Sequence, residues 1–245
     1  MSDKLQPRSA DDTSFAQPLY TPIKRRSFFM YAGATAGATA LVLAGCSKDK
    51  DSSGTTPSNP VNVGTGDTGV LNYAYALEQL EAAFYTRVRT GTYYTGLGAA
   101  SAEKQILDDL YYHEVIHREF FKAAIATGRI SDSLVPDFSK VDFNSRTSVL
   151  GTAKAFEDLG VSAYNGAGQF ITSPLYLTLA GKIVSVEARH AAIIRDLIQE
   201  GSFAGADIVT IATTSLEISK TPTEVVNVAN TFLAAGSRLD VSGIK

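Results

Sequence analysis

The chain has 245 residues, 44% hydrophobic and 19% charged, with a net charge of −3 and a single cysteine. That length and balance suit one well-packed domain with additions, and they exclude collagen-like, coiled-coil and wholly disordered classes. The mild acidity and scattered Lys and Arg give no basic stripe for nucleic acid, and one cysteine excludes an internal disulfide framework or a Cys-based zinc or iron–sulfur site within one chain.

Residues 1–26 are polar and end in Lys24-Arg25-Arg26; an uncharged run, SFFMYAGATAGATALVLAG, then extends from Ser27 to Gly45 and stops at Cys46. This is the layout of a signal peptide over residues 1–45. Leu43-Ala44-Gly45-Cys46 resembles the bacterial lipobox, which implies lipidation of Cys46 as the mature N-terminus. The expected product is an exported lipoprotein, periplasmic or anchored at the outer membrane or cell surface, held to membrane lipid without a spanning helix. An uncleaved signal anchor is the alternative. Arg25-Arg26 with Phe28 is also similar to a twin-arginine export signal, which carries folded, cofactor-loaded proteins. Lys24 and Phe29-Met30 depart from the usual flanking residues, and the general secretory route stays open.

After Cys46 the stretch SKDKDSSGTTPSNPVNVGTGDTG is rich in Ser, Thr, Gly, Asp and Pro, and residues 46–67 read as a flexible tether. Removing residues 1–45 takes away five basic and three acidic residues, leaving 17 against 22 and a net charge of −5. That sign opposes binding to anionic lipid by charge and leaves anchoring to the lipid on Cys46.

From Val70 onward apolar residues recur at three- and four-residue steps, the period of an amphipathic helix. Helices are expected over about 68–89, 101–127, 145–165 and 174–200, with an extra short helix over about 222–235. Ser101 is a plausible N-cap for the second, and Ser173-Pro174 opens the fourth with proline at its first position. Asn165-Gly166 is read as the stop of the third. Two long helices, a long connection over 129–143 containing Pro136, then two more define an all-α four-helix bundle with one crossover.

Each apolar stripe carries a glutamate, and two carry a histidine three residues later: Glu114-Val115-Ile116-His117 and Glu187-Ala188-Arg189-His190. Chance would place only about 0.1 such pair in this composition, so two are a signal. At an offset of 79 residues the first helix repeats in the third: Leu71 meets Leu150, Glu78 meets Glu157 and Tyr85 meets Tyr164. At an offset of 73 the second repeats in the fourth, with Leu110 on Ile183, Glu114 on Glu187 and His117 on His190. Glu81 shares a face with Glu78, but its counterpart is Gly160, so Glu78 is the better ligand.

One glutamate from each of two helices and a Glu-x-x-His from each of the others is the ligand set of a carboxylate-bridged di-iron or di-manganese site. The expected metal ligands are Glu78, Glu114, His117, Glu157, Glu187 and His190. Positions i and i+3 share a helix face, so each Glu-x-x-His can reach one ion. Four carboxylates balance two divalent cations, making a neutral filled site that can be buried. Tyr85 and Tyr164, nearly two turns beyond Glu78 and Glu157, can hydrogen-bond a ligand carboxylate. His113 is placed beside the ligands or at the solvent edge.

The stretches LNYAYALEQLEAAFY, HEVIHREFF, AFEDLGVSAYNGAG and VEARHAAIIRDL resemble the ferritin-like domain family of exported bacterial proteins, a group similar in turn to plant desiccation-related proteins. The resemblance spans about 68–200. It implies a ferritin-like bundle, often with a metal site, and no settled reaction. Many di-iron relatives carry Asp just before each Glu-x-x-His to orient the ligand histidines, whereas here those positions are His113 and Val186.

Read alone, His113-Glu114-Val115-Ile116-His117 is the zinc metalloprotease pattern, with Glu114 as general base. That reading lacks a third ligand at the family's spacing and leaves Glu78, Glu187 and His190 unused. A metal-free scaffold acting in stress or in the envelope is a further alternative. The leading expectation is a membrane-tethered protein whose two iron or two manganese ions oxidise Fe²⁺ or consume oxygen or peroxide, as a monomer or homodimer.

Overall fold

The computed structural model describes residues 59–210 and 213–245. The signal segment, Cys46 and the tether as far as residue 58 lie outside the described residues. In chain order the elements are β1 (Val61–Asn62), α1 (Gly66–Val88), the single-turn α2 (Thr92–Thr95), α3 (Ala102–Ala124), α4 (Arg146–Ala167), α5 (Pro174–Ile198), α6 (Pro222–Ala229) and β2 (Leu239–Asp240).

Side chains close the orphan amides at most helix starts. Ser101, Ser145 and Ser173 each accept from the amide three residues on, and Pro174 occupies the first turn of α5. Thr221 and Glu224 exchange hydrogen bonds as a capping box at α6. Asp67, in the first turn of α1, accepts from the Thr172 and Ser173 amides at 2.7 and 2.9 Å, tying the start of α1 to the start of α5.

Helix α1 packs chiefly on α3, and α4 on α5; contacts of α1 with α4 and of α3 with α5 complete the four-helix bundle. The crossover between α3 and α4 runs over the outer side of α1, so α1 is buried on nearly every side. Two buried polar residues of α1 bind that crossover by its backbone. Asn72 donates to the Val63 and Gly128 carbonyls and accepts from the Ile130 amide; Gln79 donates to the Ser131 carbonyl and accepts from the Leu134 amide. Each amide side chain meets the demands of a covered loop whose peptide groups water no longer reaches. Beneath them Phe84 packs edge-on against Tyr85, Phe138 and Phe156.

Three local expectations change. The stretch read as tether is already folded by Val61: β1 pairs in parallel with β2, Val61 against Leu239 and Asn62 against Asp240, and Val63 is fully buried. Its partner lies some 178 residues away, outside any local composition window. Gly166 does not stop α4, which continues to Ala167. A Cβ there would stand 1.8 Å from the Lys220 carbonyl oxygen, so this glycine admits the C-terminal segment, whose Lys220 amide donates to the Ser162 carbonyl. The last α-helix ends at Ala229 and tightens into a 3-10 turn over Asn230–Phe232, and the Asn230 side chain accepts from the Leu239 amide and donates to its carbonyl, holding β2 in place. Among the described residues no helix is long and apolar enough to cross a membrane.

Candidate metal centre

Glu78 comes from α1, Glu114 and His117 from α3, Glu157 from α4, and Glu187 and His190 from α5. The structure brings all six into the bundle interior; His117, the most exposed of them, is only 7% exposed. They form two overlapping groups. Glu78, Glu114, His117 and Glu187 make one, Glu114, Glu157, Glu187 and His190 the other, with ligand atoms in each lying within 4.8 Å of one another. Glu114 and Glu187 belong to both groups.

Each histidine turns its Nδ1 nitrogen inward. His117 Nδ1 lies 2.7 Å from Glu187 Oε1 and 3.5 Å from Glu78 Oε2; His190 Nδ1 lies 2.7 Å from Glu114 Oε1 and 3.4 Å from Glu157 Oε2. Each Nδ1 is thus closer to the glutamate of the opposite motif than to its own, which is 3.8 Å away for His117 and 3.3 Å for His190. Despite this proximity, both Nδ1 atoms, both oxygens of Glu114 and of Glu187, Glu78 Oε2 and Glu157 Oε2 make no hydrogen bond. The ligand atoms crowd together at ion-pair distances and converge on shared points. Ligands about 2.1 Å from one ion at right angles stand about 3 Å apart, the spacing found among these atoms. Eight orphaned buried atoms would be prohibitive in a polar core. They fit a site that can hold a metal ion.

The electrostatics demand positive charge at the same place. Burial pushes the carboxyls of Glu114 and Glu157 up, and repulsion from Glu187 adds to it. Burial also raises Glu187, but the His117 and His190 imidazoles outweigh it and hold that carboxyl at about 2. For His117 burial opposes the charged form, yet contacts with Glu114, Glu187 and Glu78 push it up to about 12; His190 is raised in the same way by Glu157, Glu114 and Glu187. Two imidazolium charges still fall short of four carboxylates, whereas divalent cations can match them.

Both tyrosines engage the ligands, in a crossed arrangement. Tyr85 of α1 donates to Glu157 Oε1 of α4 at 2.5 Å, and Tyr164 of α4 donates to Glu78 Oε1 of α1 at 2.5 Å. Each phenol leaves the other oxygen of its carboxylate free to face the cluster. His113 is exposed and belongs to neither ligand group; its Nδ1 lies 2.8 Å from His190 Nε2. Burial and the neighbouring His190 and His117 lower its pKa, which keeps His113 neutral and its Nδ1 able to accept the His190 Nε2 proton. It therefore fixes which His190 nitrogen faces the cluster, the part an aspartate commonly plays.

One residue exceeds the expected set. Glu81 is 5% exposed, and burial together with Glu114, Glu187, Glu157 and Glu78 raises its pKa well above the usual range. Its Oε1 sits 3.3 Å from where a Cβ of Gly160 would stand. The glycine that set Glu81 aside as a ligand is what makes room for its carboxyl against the cluster.

Crossed Glu-x-x-His pairs, two glutamates shared by both ligand groups and two more held by phenols define a carboxylate–histidine four-helix bundle. Residues 66–200 match the ferritin-like domain family, and the chain belongs to that family. No curated protein matches the sequence.

Proposed function

We propose that the protein holds two iron or two manganese ions and uses them to oxidise Fe²⁺ or to consume oxygen or peroxide. The carrying observation is the pair of overlapping four-ligand groups that share Glu114 and Glu187. Bound there, such ions supply one-electron redox steps in a buried setting. The chain's own residues do the remaining work. Glu114 and Glu187 would be shared between the two ions, Glu78 and Glu157 would each serve one of them, and Tyr85 and Tyr164 hold the carboxylates of Glu157 and Glu78 in one orientation. His113, at the surface, would hold a proton on His190 Nε2, 2.8 Å away, and so keep Nδ1 facing inward.

The protease alternative needs His113 and His117 on one ion. The observed geometry sends His113 to the outer nitrogen of His190 instead, which speaks for the redox reading.

The export and anchoring part of the proposal rests on Lys24-Arg25-Arg26, the uncharged run to Gly45 and the lone Cys46. The folded domain would stand off the membrane on residues 47–58, a monomer or homodimer at the periplasmic face, outer membrane or cell surface. Two experiments test the proposal. Protein reconstituted with Fe²⁺ or Mn²⁺ should consume oxygen, peroxide or Fe²⁺ over many turnovers, and Glu187→Ala should abolish this; an inert reconstituted protein would defeat the reading. Fractionation should find the chain with membranes and Cys46→Ala in the soluble fraction; an unchanged distribution would remove the lipid anchor.

A further inference from the structure

Solvent reaches the six ligands chiefly through the two histidines. The side chain of His117 is 10% exposed and that of His190 6%, whereas the four glutamates are 0 or 1% exposed. One of these histidines stands on each side of the seam between α3 and α5, and the exposed His113 lies across the outer nitrogen of His190. The three imidazole rings form a triangle. Their centroids are 5.1 Å apart for His113 and His190, 5.9 Å for His113 and His117, and 6.0 Å for His117 and His190. On this side the rings stand between solvent and the buried carboxylates.

The other approaches suit a cation poorly. The crossover covers α1, and Phe84 packs edge-on against Phe138 of the crossover and Phe156 of α4. Where α1 and α5 begin, Tyr164 borders a cavity of about 30 Å³ whose walls include Leu71, Phe121, Leu179 and Ala180 and no charged side chain. An ion passing there would shed its water with little to replace it. The seam instead offers imidazole at its mouth and carboxylates behind. Ile116 follows His113 by three residues and Val186 precedes His190 by four, so each shares a helix face with its histidine. Ile116 is 43% exposed and Val186 half-buried, which makes them the two lips of the seam.

We propose that divalent cations enter the centre through the seam between α3 and α5, and that His113 gates it by swinging off His190 to open the ring triangle. This rests on the reading that the cluster holds metal. Among the described residues the only hydrogen bond of His113 is the one to His190, so a change of rotamer breaks a single contact of an exposed side chain. A gate alters how fast ions pass in both directions. A residue that only orients His190 alters how long they stay.

The test mixes the full chain, stripped with chelator, rapidly with Co²⁺ and follows its visible absorption; transfer to excess chelator gives the release rate. Ile116→Trp and Val186→Phe should each slow entry and release by the same factor, at least about fivefold, and leave affinity unchanged. His113→Ala should quicken entry at least about fivefold and release by more, because support for His190 is lost as well. Val228→Trp, at an exposed position on α6, should change neither rate. Unchanged thermal midpoints would show that the variants fold. Wild-type chain that takes up no Co²⁺ at equilibrium would defeat the metal reading itself. Normal uptake at equilibrium, with entry unaltered in His113→Ala or in both lip variants, would overturn the gate alone, as would entry slowed by Ala180→Phe beside the apolar cavity.

Discussion

His113 Nδ1 lies 2.8 Å from His190 Nε2, so the residue before one Glu-x-x-His motif supports the histidine of the other. The equivalent position ahead of the second motif is Val186, which has no polar side chain to offer His117. The two halves of the centre are therefore alike in ligands and unlike in support. His113→Ala should lower affinity about 10- to 100-fold at the half containing His190, with the fold intact. Chelator competition measures this; complete loss of metal would instead revive His113 as a ligand.

The crossed phenols give a sharper expectation. Tyr85→Phe removes a buried hydrogen bond to Glu157, at a cost of about 1 to 2 kcal/mol. In a double-mutant cycle it should couple with Glu157→Gln and be additive with Glu78→Gln, although Glu78 shares its helix. Thermal unfolding of the wild type, the three single variants and the two double variants decides it.

Glu81 should behave as a neutral neighbour. Because burial and four carboxylates keep its proton on, Glu81→Gln replaces one neutral group by another of the same shape. Metal content should be unchanged and the thermal midpoint should move by no more than about 3 °C. Glu78→Gln should lose metal, and elemental analysis of the two variants separates their roles.

The repeat made the ligand set legible. Offsets of 79 and 73 residues align Glu78 with Glu157 and His117 with His190, because a period of 3.6 reports which residues share a helix face. It does not report which residue of another helix that face meets. The exchange of Tyr85 and Tyr164 between partners and the contact from His113 to the far motif are relations between helices. Val61–Val63 and Gly166 escaped for the same reason, since each is explained by backbone from the C-terminal segment. The signal for Glu81 was present as a glycine opposite a glutamate, and it meant space as much as a missing ligand.

Metal binding should release protons. In the metal-free cluster the pKa of His117 stands at about 12 and that of His190 is raised, so both imidazoles are protonated at pH 7. A cation on Nδ1 must displace those protons, and protons must win increasingly as pH falls. Affinity should therefore climb as pH rises from 6 to 8, with the two imidazole protons, and those that burial keeps on the raised carboxyls, released as the centre fills. Calorimetry in buffers of different ionisation enthalpy counts them; binding that is independent of pH would contradict the assigned nitrogens.

Gly166→Ala tests the docking of the C-terminal segment. The added methyl would meet the Lys220 carbonyl at 1.8 Å, and relief requires backbone to move. A loss of about 2 kcal/mol or more in unfolding free energy is expected, against near-neutral behaviour at the open position Gly181. Denaturant titration of Gly166→Ala and Gly181→Ala provides the comparison.

The most direct measurement is elemental analysis of the full chain after reconstitution with Fe²⁺ or Mn²⁺ and removal of loose ions. Two ions per chain are expected, with marked loss of both in Glu187→Ala, because Glu187 belongs to both ligand groups. A single zinc per chain that survives His190→Ala, or no metal under any condition, would contradict the account.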